Sequence, residues 1–213
     1  MNTTSEFASA SLTAGQLNAI VKKLGGHDAA LKFLRGELIV SEPTRSWREQ
    51  DGTIYLSVTS DGTTGSEWIA RLEKKGFRVG DYAKSVLCSK DFKSTNGVTT
   101  EIAILKGMLF EDSHRITKKI RAEAESRKLT KPNAEVACLI RENFSDEEIE
   151  AMGLWWIVAM HEPINDSDGD PSLLNVFRID DSSWLSTDYG KSDRKWHRGG
   201  GFAFVVSQVE LNA

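Results

Sequence analysis

Apolar positions change their spacing along this chain, and each change marks an element. Leu17, Ile20, Val21 and Leu24 recur at helical spacing behind Thr13 and Gln16, a pair spaced as a capping box. Gly25 and Gly26 end that helix, and a second short helix over about 28–35 carries Leu31 and Leu34 inward. In "TIYLSV" the period falls to two: Ile54, Leu56 and Val58 alternate with Tyr55 and Ser57, which predicts a strand. "SDGTTG" breaks it. Residues 66–75 return to helical spacing, with Trp68, Ile69 and Leu72 on one side, and 77–87 predicts another helix. "SKDFKSTNG" (89–97) is rich in turn formers and predicts a domain boundary.

Beyond it, "TTEIAILKGMLF" (99–110) predicts a strand. Ser113 caps an expected helix that runs to about 128, with Ile116, Ile120 and Ala124 on one stripe. Pro132 opens the next, with Val136, Leu139, Ile140 and Phe144 facing inward. Ser145 and Glu148 form a second capping box before a short third helix. "LWWIVAMHEPI" (154–164) is dense enough in apolar and aromatic residues for a buried strand, and "SLLNVFRI" and "GFAFVVSQV" predict two more. Between those last two, "SSWLSTDYGKSDRKWHRGG" predicts a polar loop that keeps two tryptophans. The order is α+β, not a βαβ repeat. It predicts a flexible tail over 1–11, a smaller, mostly helical N-terminal part with one strand over 12–97, and an α+β domain over 98–213.

Composition narrows the class. With 39% hydrophobic and 27% charged residues, the chain is neither collagen-like, nor disordered, nor a membrane bundle. A net charge of −4 lacks the basic footprint of a nucleic-acid binder. The N-terminus has neither a basic start nor an apolar core, which predicts no secretory signal and a cytoplasmic location unless another route exports the protein. Cys88 and Cys138 stand in no metal or redox spacing and read as idle thiols.

Motif after motif falls short of catalysis. "HEPIN" starts like a zinc-protease helix, but Asn165 stands where the second histidine belongs and Pro163 would break the helix, so His161 reads as a satisfied histidine at a strand end. "DSDGD" (166–170) lacks the glycine and glutamate of an EF-hand and reads as a polar turn, with a looser cation site left open. "GTTG" (62–65) precedes a helix and could cradle an anion, though without the lysine of a P-loop. Lys118, Lys119, Arg121, Arg127, Lys128 and Lys131 make the segment 116–131 basic, and an alternative reading gives that face to nucleic acid. With no catalytic constellation, the expectation is no enzyme, no cofactor and no metal.

The strand–helix–helix–strands order, the Trp-rich "LWWIVAMHEP" and the tail "SSWLSTDYGKSDRKWHRGGGFAFVV" together resemble the C-type-lectin-fold variable proteins of diversity-generating retroelements. The resemblance covers about residue 99 to the end. It implies a C-type-lectin-like domain whose last strands and loops form a hypervariable ligand-binding face, rewritten by error-prone copying at adenines. From AAC or AAT codons, that copying reaches Phe, Leu, Ile, Val, Ser, Pro, Thr, Ala, Tyr, His, Asn, Asp, Cys, Arg and Gly but never Trp, Lys, Glu, Gln or Met. Phe177, Ile179, Ser183, Ser186, Thr187, Asp188, Tyr189, Gly190, Ser192, Asp193, Arg194, His197, Arg198, Gly199 and Gly200 all fall in the reachable set. Trp184 and Trp196 do not, and with Trp155, Trp156, Phe202 and Phe204 they are expected to be fixed scaffold. Lys191 and Lys195 must be fixed or come from another codon. The implied partner is a protein or surface glycan, bound without catalysis. The residue types support this independently, because Tyr, Ser, Gly, Asp and Arg are those of antibody loops.

Overall fold

The computed structural model describes residues 13–39, 46–179 and 181–207. The tail expected over 1–11 lies outside them. The chain divides into two compact units, 1–44 and 45–213.

In the first unit, α1 (Ala14–Lys23) starts at Thr13, whose side chain accepts from the Gln16 backbone while Gln16 caps back, as the capping box requires. Gly25 and Gly26 adopt positive φ and close the helix, and α2 (His27–Leu34) follows. The inward facing expected of Leu31 and Leu34 is not found: neither helix buries a residue, and Leu34 is 79% exposed. Helical spacing reports a common face, but it does not supply the surface that would cover it.

The second unit is mixed α+β around one large sheet. Its elements run β1 (Trp47–Gln50), β2 (Thr53–Asp61), α3 (Gly65–Lys74), β3 (Arg78–Val79), α4 (Asp81–Leu87) and β4 (Asn96–Lys106). After a short 3-10 turn come α5 (Thr117–Ser126), β5 (Leu129–Thr130), α6 (Glu135–Asn143), α7 (Asp146–Ala151), β6 (Trp156–Ala159) and β7 (Ile164–Asn165). β8 (Pro171–Ile179), β9 (Ser182–Tyr189) and β10 (Gly200–Val206) finish the fold. The strand order is β1-β2-β4-β10-β6-β8-β9-β3, with β5 on β10 and β7 on β8.

Period-two alternation sorts the core onto the two faces of this sheet. Ile54, Leu56, Ile102, Ile104, Ile157, Leu174, Val176 and Leu185 meet Trp68, Leu72 and the buried side of α6. Leu105, Val158, Leu173, Phe202 and Phe204 meet Ile120 and Ala124 of α5 and the Trp196 indole. Both faces are therefore covered, which explains why "LWWIVAM" and "FAFVV" read as continuous apolar runs.

Four expectations change. β2 pairs with β4 from Thr53↔Leu105 to Asp61↔Asn96, so the boundary expected at 89–97 is a loop inside one sheet. Residues 77–87 hold β3 as well as a helix. α5 begins four residues after Ser113, because Ile116 is its N-cap and Arg115 is spent on the carbonyls of Gly107 and Phe110. Residues 182–189 are strand β9, since each finds a partner on β8 from Ser172↔Tyr189 to Ile179↔Ser182.

Candidate functional site

The β8–β9 hairpin carries the first group of candidate residues. Paired positions of neighbouring strands share a face. Ser183 and Thr187 lie beside buried Leu185, on the α6 side, and Ser183 donates to Asp146. Trp184, Ser186 and Asp188 share the opposite face with Phe177, Asn175 and Leu173. There Trp156 pairs with Phe177, Phe177 with Trp184, and Trp184 with Arg78. The result is an aromatic row running across β6, β8 and β9, with a guanidinium at its end. The Phe177 and Trp184 rings stack 6.3 Å apart at 7°, and Arg78 lies 5.3 Å over the Trp184 ring.

The loop 190–199 is fixed differently. Its carbonyls at Ser192 and Arg194 accept from the amides of Lys118 and Thr117 at the start of α5, and the Trp196 amide donates to the Arg115 carbonyl. The Trp196 indole N–H donates 3.0 Å to the Thr117 hydroxyl, and the ring packs on Trp156 and Phe202. Arg194 bridges to Asp188 at 2.9 Å and lies over the Trp196 ring. The awkward Lys191 pairs with Asp170 and covers the Tyr189 ring, and Lys195 bridges Ile116 through its backbone.

The candidates fall into separate places. Thr187, Asp188, Tyr189 and Arg194 line a cleft of about 300 Å³ with Tyr82, Asp166, Asp168 and Asp170. His197, Arg198 and Gly199 line a cleft of about 180 Å³ beside Trp155. Ile179 stands exposed at the end of β8, and Ser192 and Asp193 are exposed on the loop. Two candidates belong to the frame instead. A Cβ on Gly190 would stand 2.8 Å from the Pro163 ring, and one on Gly200 would stand 2.0 Å from the Trp156 ring. Both positions need glycine because aromatic or proline rings occupy the space of a side chain.

The scaffold set also needs correction. Trp196, Phe202 and Phe204 are buried, and Trp156 and Trp184 are half-buried. Trp155 is 68% exposed and stacks on His197. Density of apolar residues marked the strand, but β6 starts only at Trp156, so Trp155 precedes its alternation.

The other motifs resolve as local structure. His161 is buried; its Nε2 accepts from the Leu174 amide at 2.9 Å and its Nδ1 donates to the Glu162 carbonyl at 2.7 Å. Burial holds its pKa down to about 4 from 6.5. In "DSDGD" the Asp166 carboxylate accepts from the amides of Asp168 and Asp170 and from the Ser172 hydroxyl, which closes the turn on itself. Among the described residues no cluster of His, Cys, Asp or Glu could hold a metal ion. In "GTTG", Glu67 already accepts from the Thr64 amide and hydroxyl at the helix start, where an anion would sit.

Of the basic stripe, Arg121 donates to the His161 carbonyl, Arg127 pairs with Glu123, and Lys131 pairs with Glu162. Those three cations have partners within the chain, and the Arg127 and Lys131 pairs lie at the surface. No described helix is long and apolar enough to cross a membrane. Cys138 is buried, which raises its thiol pKa, and Cys88 is exposed, so the two thiols are free of each other. Compared with family models, curated proteins and solved structures, the chain matches none.

Proposed function

We propose that this chain is a non-catalytic ligand-binding protein. Its recognition surface is the half-buried face of β9 that carries Trp184, Ser186 and Asp188, with exposed Tyr189 at its end and the loop 190–199, and its variable positions are rewritten by retroelement copying. One observation carries the reading: most of the hold on the loop is main-chain, although Arg194 pairs with Asp188 and His197 stacks on Trp155. Main-chain bonds to α5 and the buried Trp196 fix its path, while Ser192, Asp193, His197 and Arg198 stay exposed. A surface built this way keeps its shape while its chemistry changes.

The finer assignment of residues 98–213 as C-type-lectin-like belongs to the same proposal. It is supported by the strand–helix–helix–strands order and by β10 returning antiparallel beside β4. Gly190 and Gly200 drop out of the variable set on steric grounds, and Phe177 has a packing partner in Trp184.

The test is the DNA around the coding sequence. The proposal expects a reverse-transcriptase gene and a near-copy of the segment encoding 177–199, differing at adenines. A near-copy whose differences fall on the Trp184, Trp196 or Gly200 codons would contradict it, as would the absence of both features.

A further inference from the structure

The end of β4, the residues after α7 and the end of the loop 190–199 enclose a cleft of about 180 Å³. Lys106, His197 and Arg198 line it together with Met108, Leu154 and Trp155, and no carboxylate is among its lining residues. Four other clefts of the fold each carry at least one Asp or Glu. On a chain of net charge −4, a cleft of this sign focuses attraction on anions.

A lysine is rarely buried without a partner. The Lys106 side chain is only 9% exposed, and its ammonium donates 2.8 Å to Glu49 of β1. An ammonium has three N–H groups, and Glu49 is its one acceptor among the described residues. The ammonium stands at the wall of the cleft, because a Cβ on Gly153 would come 3.6 Å from Nζ. His197 is held in one orientation: its Nδ1 accepts from the Gly199 amide at 3.2 Å, and its ring lies 5.1 Å from the Trp155 indole at 18°. A neutral imidazole carries one N–H, so that bond puts it on Nε2 as a donor. Arg198 is exposed and pairs with no carboxylate among the described residues. Gly107 brings the two sides together. A Cβ there would stand 2.8 Å from the Arg198 carbonyl, so bare glycine lets the end of β4 lie against the loop.

These three side chains offer donors and no acceptor. Glu49 balances Lys106, and Arg198 leaves a surplus cation. A carboxylate would bring two oxygens to three donor groups. A phosphate monoester brings three terminal oxygens and a charge near −2, and both ammonium and guanidinium suit it. The cleft is smaller than the roughly 300–1,000 Å³ of pockets that hold a whole ligand, so it admits a head group and leaves the rest outside, beside exposed Met108 and Trp155.

We propose that this cleft is a phosphate-monoester site, with Lys106, His197 Nε2 and Arg198 as its donors. The proposal deepens the recognition surface above and rests on the loop 190–199 being a binding face, whether or not a retroelement wrote it.

The experiment follows the Trp155 indole N–H of the full chain by NMR, assigned by its loss in Trp155→Phe. Methyl phosphate, inorganic phosphate and acetate are added at constant ionic strength. Methyl phosphate should shift the signal with a Kd of about 1–10 mM, within the ceiling for so few heavy atoms. Inorganic phosphate should bind comparably, and acetate about tenfold more weakly. Arg198→Ser should weaken methyl phosphate binding about tenfold at an unchanged melting temperature, through the loss of a charge-assisted hydrogen bond. Lys90→Ala, which removes an exposed lysine outside the cleft, should bind like the parent. The proposal is overturned if methyl phosphate gives no shift at about 100 mM, if acetate binds as well, or if inorganic phosphate binds and methyl phosphate does not. It is also overturned if Arg198→Ser binds like the parent or if Lys90→Ala loses as much. Those failures would leave the retroelement reading standing, because the neighbouring DNA decides that reading separately.

Discussion

Strand β9 and the loop that follows it are neighbours in sequence, and they are held by opposite means. β9 is held along its whole length: every residue from Ser182 to Tyr189 has a partner on β8, and Leu185 is buried in the core. The loop 190–199 is held at a few points, by backbone bonds to the start of α5, by one buried indole, by the Arg194–Asp188 pair and by a glycine on each flank, Gly190 and Gly200. In the strand, tolerance to substitution should alternate with the pleat. In the loop, it should be all-or-none: a few positions fixed absolutely, the rest free.

The comparison can be broken most sharply at Trp196. If one indole anchors the loop, Trp196→Ala should lower stability by about 3–5 kcal/mol, the usual range for emptying a buried aromatic site. Trp184→Ala should cost clearly less, because that ring is half-buried and shares its load with the ladder. Urea denaturation of both variants decides, and equal losses would remove the distinction.

Gly200→Ala comes next. Its methyl would collide with the Trp156 ring, and overpacking of this kind costs about 1–3 kcal/mol. Ser192→Ala, in the open part of the loop, should stay within about 0.5 kcal/mol.

A similar effect is expected from acid at β8, the strand that β9 depends on. The Leu174 amide of β8 donates to His161 Nε2, so that nitrogen must stay unprotonated in the fold. The unfolded chain takes up a proton there near pH 6.5 and the folded chain only near 4. The contribution is therefore fully present above pH 6.5 and is lost as pH falls towards 4. Between pH 7 and 4.5 the loss should be about 2–3 kcal/mol. Denaturation of the parent and of His161→Gln at the two pH values checks this, since the variant should lose that much less stability on acidification.

How much of this was legible in the sequence depends on the kind of signal. Capping boxes at Thr13 and Ser145 and the alternation through Ile54, Leu56 and Val58 are local, and each appears as read. β9 was missed because Ser and Asp are turn-forming residues by propensity. Here they are overridden by pairing with a strongly apolar strand, and a tertiary partner does not show in a local window. The boundary expected at 89–97 failed for the same reason, since turn residues mark loops whether or not a sheet continues across them. Gly190 and Gly200 passed as variable because composition does not show that Pro163 and Trp156 occupy their side-chain space. Trp155 was placed in the scaffold on aromatic density alone, yet Gly153 turns the chain just before it. Trp196 as an anchor was legible, because a large aromatic in a polar run needs somewhere to go.

The central claim is that the fold supplies the frame of the surface and the surface residues do not supply the fold. A library that randomises Tyr189, Ser192, Asp193, His197 and Arg198 together, scored for protease resistance, tests it directly. The account predicts that most members stay as resistant as the parent, and that resistance disappears when Trp196→Ala is added to the same library. If most members of the first library are digested, the exposed residues hold the loop and the account is wrong.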